Sequence, residues 1–349
     1  MIPLIRVINP VRALSRCSYS TSRDQLSKLG HNVDPSELLS DEEIEFEVEE
    51  VRIAAPYNGH IAGKWWGDKS IKPFLMLHGW QDNAGTFDRL IPMLPKQFSY
   101  LAIDLPGHGL SSQIPHGMQY HTIDKLHTLN YILKEYNWDK ISLIGHSLGS
   151  VISFMFTSVF PSKVDFVVAI DALKPMAYDS NKVAHMLEEK VEDFMIADMR
   201  NQEKSEPPAY PIEEMVDKMV KATRGSVTKE AARFLLKRNI KHSEKHPGKF
   251  YFARDNRLKH NFSPSFSQDL SVELAKRINC PYMFIKAKNS PYYEKKEYHD
   301  EVIEVLKHNK NFEYHLVDAT HHLHLTEPEK IAGLISNFIC KHKKCTSPV

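Results

Sequence analysis

Residues 141–150 read I-S-L-I-G-H-S-L-G-S, and an apolar run follows them through residue 160. A short apolar segment, a Gly-x-Ser-x-Gly turn and a longer apolar segment predict a buried strand, a very tight turn and a helix. In that setting the pattern is typical of a nucleophile elbow, a strained turn that holds the serine hydroxyl clear of the backbone. Gly145 and Gly149 lack a Cβ, so the strand and the helix can pass close beside the turn. Ser147 is therefore the candidate nucleophile.

Short apolar strands alternate with helical segments on both sides of this turn, which predicts βαβ units and a mostly parallel sheet. A hairpin is expected at the start, where the alternating residues 44–53 are followed by a turn and a second strand at 60–66. Further strands are predicted at residues 73–77, 100–103, 164–170, 281–286 and 312–317. Helices are predicted at residues 86–94, 120–136, 151–160, 294–306 and 327–340.

This alternation stops at Asp171 and returns only at residue 281. Residues 172–268 are highly charged and contain no buried-strand pattern, but they have helical spacing at 182–199, 212–222 and 228–237. We expect this interval to be a helical cap inserted into a core that spans residues 44–171 and 269–342. Residues 24–43 are expected to be a linker, and residues 343–349 a tail.

The composition of the 349-residue chain, with 42% hydrophobic and 26% charged residues, is that of an ordinary soluble globular protein. A net charge of +1 and the lack of a dense basic stripe argue against a nucleic-acid partner. No apolar run reaches the roughly 18 residues that a transmembrane helix needs. The four cysteines lack zinc-finger spacing, and a disulfide scaffold is implausible at this size. We therefore expect reduced thiols and an intracellular location.

Residues 1–23 differ from the rest of the chain, since they contain four arginines and no acidic residue. Serine and threonine are also frequent in their second half. Such a composition is typical of a mitochondrial transit peptide, so a mitochondrial location is predicted, with the cytoplasm and the peroxisome as alternatives. The C-terminal Ser347-Pro348-Val349 does not match the peroxisomal Ser-Lys-Leu signal. The other interpretation is that residues 1–23 have no targeting role.

Several further motifs occur in a fixed order. They are G-H-I-A-G-K-W-W-G at 59–67, L-H-G-W-Q-D-N-A-G-T-F-D-R-L-I-P at 77–92, G-H-G-L-S-S at 107–112, G-H-S-L-G at 145–149, A-R-D-N-R-L at 253–258 and H-H-L-H-L-T-E-P at 321–328. With these motifs the chain closely resembles the serine hydrolase-like family of the α/β-hydrolase superfamily, which includes insect probable serine hydrolases. The resemblance extends from about residue 44 to residue 340. It implies an α/β-hydrolase fold in which helices flank a mostly parallel central sheet.

A serine nucleophile needs a histidine base, and in this fold the histidine follows the last strand. Three histidines lie there, namely His321, His322 and His324. In similar hydrolases the catalytic histidine precedes a Glu-Pro pair at a fixed interval, and counting back from Glu327-Pro328 selects His321. His322 and His324 are then expected to be packing or pocket residues.

The acid that orients this histidine is expected at Asp171, directly after the strand at 164–170. Many relatives carry the acid after the strand at 281–286, but here that region reads K-A-K-N-S-P-Y-Y-E and contains no Asp. Some hydrolases of this fold take the acid from the earlier strand instead. Asp318 and Glu294 are the fallbacks, and a helix cap is the structural alternative for Asp171.

Attack on an acyl carbon builds an oxyanion, which needs preorganised hydrogen-bond donors. We expect the backbone N–H of Leu148 to be one donor and that of Trp80, in the loop after the strand at 73–77, to be the other. Three clustered histidines could ligate a metal by residue type, but no nearby cysteine or carboxylate completes a recognisable site. We therefore expect neither a metal nor an organic cofactor.

Together these residues predict a serine hydrolase that cleaves a carboxylic ester or related acyl bond of a small molecule through an acyl-enzyme. Dehalogenases and epoxide hydrolases of this fold need an Asp nucleophile, and Ser147 excludes them. A catalytically silent binding module and a C–C bond hydrolase with the same triad stay open. Apolar side chains in the cap suggest a lipid-like substrate, although plain packing explains the same composition: Met186, Phe194, Met195, Met199, Met215 and Met219.

Overall fold

The computed structural model describes residues 46–56, 58–203, 206–260 and 266–343. The strands in these residues are, in chain order, β1 (Val48–Ala55), β2 (Gly59–Trp66), β3 (Phe74–Leu77), β4 (Tyr100–Ile103), β5 (Ile141–His146), β6 (Val164–Ile170), β7 (Ile240–His242), β8 (Phe250–Phe252), β9 (Tyr282–Ala287) and β10 (Phe312–Val317). Eight of them form one sheet in the order β1-β2-β4-β3-β5-β6-β9-β10. The pairings β1–β2 and β2–β4 are antiparallel and the others are parallel, so the predicted hairpin and mostly parallel sheet are confirmed.

The helices in the same residues are α1 (Asp124–Glu135), α2 (Leu148–Val159), α3 (Ser180–Gln202), α4 (Ile212–Ala222), α5 (Lys229–Leu236), α6 (Gln268–Lys276), α7 (Lys296–Leu306), α8 (Leu323–Thr326) and α9 (Glu329–His342). The α-helix predicted at 86–94 is wrong, because this region forms two 3₁₀ turns at Ala84–Phe87 and Ile91–Met93. Pro92 has no N–H to donate to an earlier turn, which prevents a continuous α-helix across this segment.

Apolar side chains cover both faces of the sheet and form two large clusters. One face packs against α1, α2, α6 and α7, and the other packs against α9 and the 3₁₀ turns after β3. Strands β3, β4, β5 and β9 are buried at every position, as expected for central strands that are covered by helices on both sides. The carboxyl ends of the parallel strands therefore meet at one edge of the sheet, and the loops at this edge carry the candidate functional residues.

The segment between β6 and α6 contains α3, α4, α5 and the small antiparallel pair β7–β8. The predicted cap helices correspond to α3, α4 and α5, and the bounds predicted for α4 agree with the structure. The β7–β8 pair was not predicted, because strands of three residues are too short to show a two-residue alternation. Met215 and Met219 are buried in a cluster within this segment, so packing explains them, whereas Met195 and Met199 are exposed.

Arg238, which follows α5, ties this segment to the core. Its side chain is 6% exposed, and its Nη2 donates to Oδ2 of Asp104 at 2.8 Å. Asp104 follows β4 and also accepts hydrogen bonds from the backbone N–H groups of Ala84 and Leu110. A buried ion pair whose carboxylate is fully hydrogen-bonded fixes the relative position of the elements that supply it.

Several predictions fall on parts of the chain outside these ranges, namely the leader at 1–23, the linker at 24–43 and residues 344–349 of the tail. The mitochondrial location stays a prediction. Among the described helices, none combines the length and apolarity needed to cross a membrane. Cys280 is a buried free thiol, but Cys340 is disulfide-bonded, so the expectation of reduced thiols is wrong for Cys340.

Candidate active site

The turn at Ser147 joins β5 directly to α2, and it has the strained backbone that its sequence pattern predicts. Ser147 has φ 51° and ψ −114°, in the region that residues with a side chain rarely adopt. Its backbone N–H donates to the carbonyl of Ile170 on the neighbouring strand at 2.9 Å. Strain of this kind persists only where the surrounding structure enforces it, and it concentrates at functional sites.

The two glycines of the turn are required by close backbone contacts. A Cβ on Gly145 would lie 2.4 Å from the backbone of Gly149, and a Cβ on Gly149 would lie 1.9 Å from the carbonyl oxygen of Leu77. Helix α2 therefore crosses directly against β3 and β5. Only residues without a side chain allow this approach, which is what places Ser147 above the sheet edge.

Substitution Gly149→Ala is expected to lower the free energy of unfolding by at least about 3 kcal/mol, because the new methyl group must displace the β3 backbone. Urea unfolding of the purified variant would measure this loss. Gly333→Ala, within α9, is the matched control. A methyl group on Gly333 would meet no described atom within 4 Å outside its own stretch of helix, so we expect stabilisation of about 0.5–1 kcal/mol. Equal effects at the two positions would contradict the close-contact argument.

Three predicted site residues meet at the carboxyl edge of the sheet. Nε2 of His321 lies 3.0 Å from Oγ of Ser147, and Nδ1 of His321 lies 2.5 Å from Oδ2 of Asp171. A carboxylate can only accept, so Nδ1 carries the ring proton and donates it to Asp171. Nε2 of the neutral ring is then free to accept the serine proton, which is the arrangement that a general base requires.

The fallback acids are engaged elsewhere. The Asp318 carboxylate accepts from Nδ2 of Asn289 at 2.8 Å, and Glu294 pairs with Nζ of Lys174 at 2.5 Å. The capping alternative for Asp171 is also wrong, because the next helix begins at Ser180 with Asp179 as its N-cap residue. Among the three candidate carboxylates, the structure brings only Asp171 to His321.

Asp171 is held by a lysine that the sequence reasoning missed. Oδ1 of Asp171 accepts from Nζ of Lys286 at 2.7 Å and from the backbone N–H of Ala287 at 2.8 Å. Burial raises the pKa of Asp171, but the hydrogen bond and charge of His321 and the charge of Lys286 together bring that pKa below its ordinary value. The carboxylate therefore stays ionised. The sequence feature that could have indicated this contact is the lysine within the otherwise apolar strand F-I-K-A at 284–287.

Substitution Lys286→Met is expected to lower the unfolding free energy at pH 7 by about 3–5 kcal/mol, because it leaves a buried carboxylate without its cation. The lowered pKa of Asp171 contributes stability that is present at pH 7 and lost as the pH falls through that pKa. Loss of the charge and hydrogen bond of Lys286 raises the pKa of Asp171 relative to that in wild type. The difference between wild type and variant should therefore shrink below about pH 4.

Urea unfolding at pH 7 and at pH 3.5–4 would measure both effects. Lys295→Met is the control, since Lys295 and Asp179 form an ion pair whose side chains are 54% and 51% exposed. Exposed pairs contribute about 0–1 kcal/mol. A loss that is equally small in the two variants, or one that grows at low pH, would contradict a structural role for the Lys286–Asp171 pair.

The two predicted oxyanion donors, Leu148 and Trp80, belong to different elements of the fold. Leu148 is the first residue of α2, where backbone N–H groups have no acceptor within the helix. Trp80 lies in the loop after β3, and its indole Nε1 donates to the carbonyl of Leu258 at 2.7 Å. The preceding His78 accepts from the backbone N–H of Leu105 at 2.9 Å, so it supports this loop. The role of Leu148 and Trp80 as donors stays a prediction.

The other two histidines of the cluster do not reach Ser147 and have separate partners. Nδ1 of His322 lies 2.8 Å from the hydroxyl of Ser226, and Nε2 of His324 lies 2.8 Å from the hydroxyl of Thr86. Nε2 of His322 also lies 3.5 Å from Asp82, a carboxylate that the sequence reasoning did not connect to this site. Asp82 and His322 are far apart along the chain, which explains why no local pattern indicated their contact.

The chain matches a known family and several known proteins over most of its length. Residues 72–328 match the family model described as alpha/beta hydrolase fold. The chain is 36% identical over 312 residues to a probable serine hydrolase of Drosophila melanogaster, covering 89% of this chain and 92% of the relative. It is 30% identical over 308 residues to human serine hydrolase-like protein 2, covering 84% of this chain and 95% of the relative.

Two solved structures are also similar. A hypothetical protein, PA1622 of Pseudomonas aeruginosa, superposes with a TM-score of 0.71 at 26% identity, covering 84% of this chain and 98% of that one. A thioesterase domain from the curacin biosynthetic pathway superposes with a TM-score of 0.67 at 18% identity, covering 83% and 99%, a likeness in fold alone. From the family match and these relatives, the chain belongs to the α/β-hydrolase family and, within it, to the serine hydrolase-like proteins.

Proposed function

We propose that this protein is a serine hydrolase that cleaves a carboxylic ester or related acyl bond through an acyl-enzyme on Ser147. The observation that carries the proposal is the continuous chain of hydrogen bonds from Asp171 through His321 to Ser147, at 2.5 and 3.0 Å. A serine hydroxyl is a weak nucleophile without such a base, and the base needs an orienting carboxylate. Family membership supports hydrolysis in general, and the hydrogen-bonded residues support this particular route.

In the acylation step, Oγ of Ser147 attacks the acyl carbon while Nε2 of His321 removes its proton. Asp171 holds the opposite ring nitrogen and stabilises the imidazolium that forms. The imidazolium then gives its proton to the departing alcohol oxygen. In deacylation, His321 takes a proton from a water molecule while the water oxygen attacks the acyl carbon. The bond between that carbon and Oγ then breaks, the carboxylic acid leaves, and His321 returns the proton to Oγ of Ser147. One water molecule is consumed, and the protein returns to its starting state.

Each tetrahedral intermediate places negative charge on the former carbonyl oxygen. We assign the backbone N–H groups of Leu148 and Trp80 as the donors that stabilise it. The start of α2 supports the first assignment, because the helix dipole also favours negative charge at its N-terminus. A single donor in such a site is typically worth about 3–4 kcal/mol of transition-state stabilisation.

A fluorophosphonate probe, which reacts only with activated serines, tests the proposal. We expect strong labelling of wild type and of Ser70→Ala, an exposed-serine control, and none of Ser147→Ala or His321→Ala. If folded wild type is not labelled, the chain is a binding module and the hydrolase proposal is wrong. If it is labelled but turns over no ester or thioester, cleavage of a C–C bond by the same residues replaces acyl-ester cleavage as the proposed reaction.

We further propose that the substrate is lipid-like, because one face of α3 presents large apolar side chains outward. Leu187, Val191, Met195 and Met199 recur every four residues, and they are 43%, 51%, 57% and 65% exposed. Residues at this spacing share one side of a helix. A stripe of this kind on an otherwise charged helix suits an acyl chain better than a polar substrate.

Replacing Met195 and Met199 together by serine is expected to lower kcat/KM for a dodecanoyl ester about tenfold and for an acetyl ester less than about twofold. Full burial of an apolar side chain contributes about 1.5–3 kcal/mol. A side chain that the acyl chain covers only in part contributes a fraction of that free energy. Esterase assays across acyl-chain lengths would measure the ratio. Glu188→Ser/Glu189→Ser is the control on a different part of α3. A loss that does not depend on chain length would contradict the lipid-like substrate.

A further inference from the structure

A second cluster of ionisable side chains lies beside Ser147 and takes no part in the hydrogen bonds between Asp171, His321 and Ser147. It contains Asp82 from the loop after β3, His146 at the end of β5 and His322 from the loop after β10. The three residues are 4%, 0% and 6% exposed. One ligating atom from each lies within 4.8 Å of the others, which brings three distant parts of the chain to one point.

The hydrogen bonds of His146 fix its tautomer. Its Nε2 lies 3.0 Å from the backbone oxygen of His321, and a carbonyl oxygen can only accept, so Nε2 carries the proton. Its other ring nitrogen, Nδ1, lies 3.6 Å from Oδ2 of Asp82. Neither atom has a hydrogen-bond partner among the described residues.

The hydrogen bond between His322 and Ser226 likewise fixes which ring nitrogen of His322 carries a proton. The hydroxyl of Ser226 donates its single hydrogen to the carbonyl of Thr223 at 2.7 Å, so it accepts from Nδ1 of His322 at 2.8 Å. With a proton on Nδ1, Nε2 is the ring nitrogen that faces the cluster, 3.5 Å from Oδ2 of Asp82. One carboxylate oxygen and two ring nitrogens thus face one another in a buried place, where a carboxylate is costly unless a positive charge lies beside it.

The spacing of these atoms suits a transition-metal ion. Bonds of about 2.0–2.2 Å in a tetrahedral centre separate neighbouring ligand atoms by about 3.4 Å, close to the two separations from Asp82. Gly79 keeps the adjacent space open, because a Cβ there would lie 2.9 Å from Nδ1 of His146 and 3.0 Å from Oδ2 of Asp82. Two imidazole nitrogens and one carboxylate oxygen form a donor set that zinc commonly takes.

We propose that Asp82, His146 and His322 form a binding site for a divalent transition-metal ion of the zinc class. Ligating histidines usually donate their other ring N–H to an outer partner, and here the carbonyl of His321 and the hydroxyl of Ser226 have that role. The site uses neither Ser147 nor Asp171, so it does not depend on the proposed hydrolase activity. A bound ion would join the loops after β3 and β10 to the end of β5.

Calorimetric titration of Zn²⁺ into chelator-treated full-length protein at pH 7 tests the site. We expect one tight site in wild type and a higher Tm when zinc is present. Asp82→Asn and His322→Gln should weaken binding by more than about 100-fold, since loss of an outer partner alone typically costs about 10- to 100-fold. Ser226→Ala, which leaves all three ligands in place, should show that smaller loss.

Two control variants test whether zinc binding depends on histidines outside this site. His321→Ala removes the proposed base, and His127→Ala removes an exposed histidine on α1. Both should bind zinc as wild type does, and Mg²⁺, which prefers an all-oxygen site, should not bind in its place. Cobalt substitution adds a spectroscopic readout, because visible bands of a four- or five-coordinate centre should appear in wild type and vanish in Asp82→Asn.

The competing occupant of the cluster is a proton on one of the imidazole rings, which would also neutralise Asp82. Folded wild type that binds no zinc would support the proton and overturn the metal site. Unchanged affinity in both Asp82→Asn and His322→Gln would overturn it as well, as would loss of binding in His321→Ala. If a ligand variant fails to fold, by circular dichroism, Ser226→Ala and the cobalt spectrum of wild type still decide between the two occupants.

Discussion

Replacement of Ser147 by alanine is expected to lower kcat for ester hydrolysis about 10⁶-fold, with little change in KM. The nucleophile and its base act as one unit, and removing a member of such a unit abolishes the covalent route. A residual rate about 10³–10⁴ above that in water should persist, because the oxyanion donors and substrate binding do not need the hydroxyl. Steady-state kinetics with a chromogenic ester would measure both values.

The same reasoning predicts that His321→Ala costs about as much as Ser147→Ala, and that the double variant is no worse than either single one. Additive losses would mean that the two residues act independently, which the 3.0 Å contact between Nε2 and Oγ argues against. Ser70→Ala, at an exposed position, should match wild type. If Ser147→Ala keeps more than about 1% of wild-type kcat, another residue is the nucleophile.

Asp171→Asn is expected to lower kcat about 10⁴-fold, and the contacts of Asp171 explain why. Lys286 and the backbone N–H of Ala287 both donate to Oδ1, so the amide oxygen of asparagine must take that place. The amide NH₂ then faces Nδ1 of His321 and donates to it. This moves the ring proton to Nε2, the atom that has to accept the proton of Ser147.

The matched controls are Asp318→Asn and Glu294→Gln, which alter the fallback acids without touching His321. Both should keep kcat within about threefold of wild type, whereas Asp171→Asn should fall steeply while remaining folded. Kinetics of the three variants, with circular dichroism as the check on folding, would distinguish them. A larger loss in Asp318→Asn or Glu294→Gln than in Asp171→Asn would assign the acid to that residue.

The elbow could be predicted from the sequence because its determinants are local. Gly145, Ser147 and Gly149 lie between two apolar runs, and no other chain segment is needed to recognise a strand, a turn and a helix. Alternation of strands and helices predicted the parallel sheet for the same reason. Local patterns failed at residues 86–94, where Pro92 breaks the helical hydrogen bonds, and at β7–β8, where the strands are too short to show a period.

The residues around the candidate triad were predictable only in part. His321 and Asp171 were placed by chain order and by resemblance to similar hydrolases, since no pattern of residues links positions 150 apart. That Asp171 rather than Glu294 or Asp318 meets His321 follows from the parallel pairing of β6 with β9, which sets the end of β6 beside Lys286. Sequence alone cannot give that register.

The sequence by itself determined the fold family and the candidate nucleophile, because these depend on local periodicity and on motifs in a fixed order. The tertiary structure alone decided which charges meet. It placed Lys286 within hydrogen-bond distance of Asp171, and it brought Asp82 close to His146 and His322, which are distant from it along the chain. Electrostatic contacts form between side chains that are close in space, and closeness in space is set by the packing of the sheet rather than by distance along the chain.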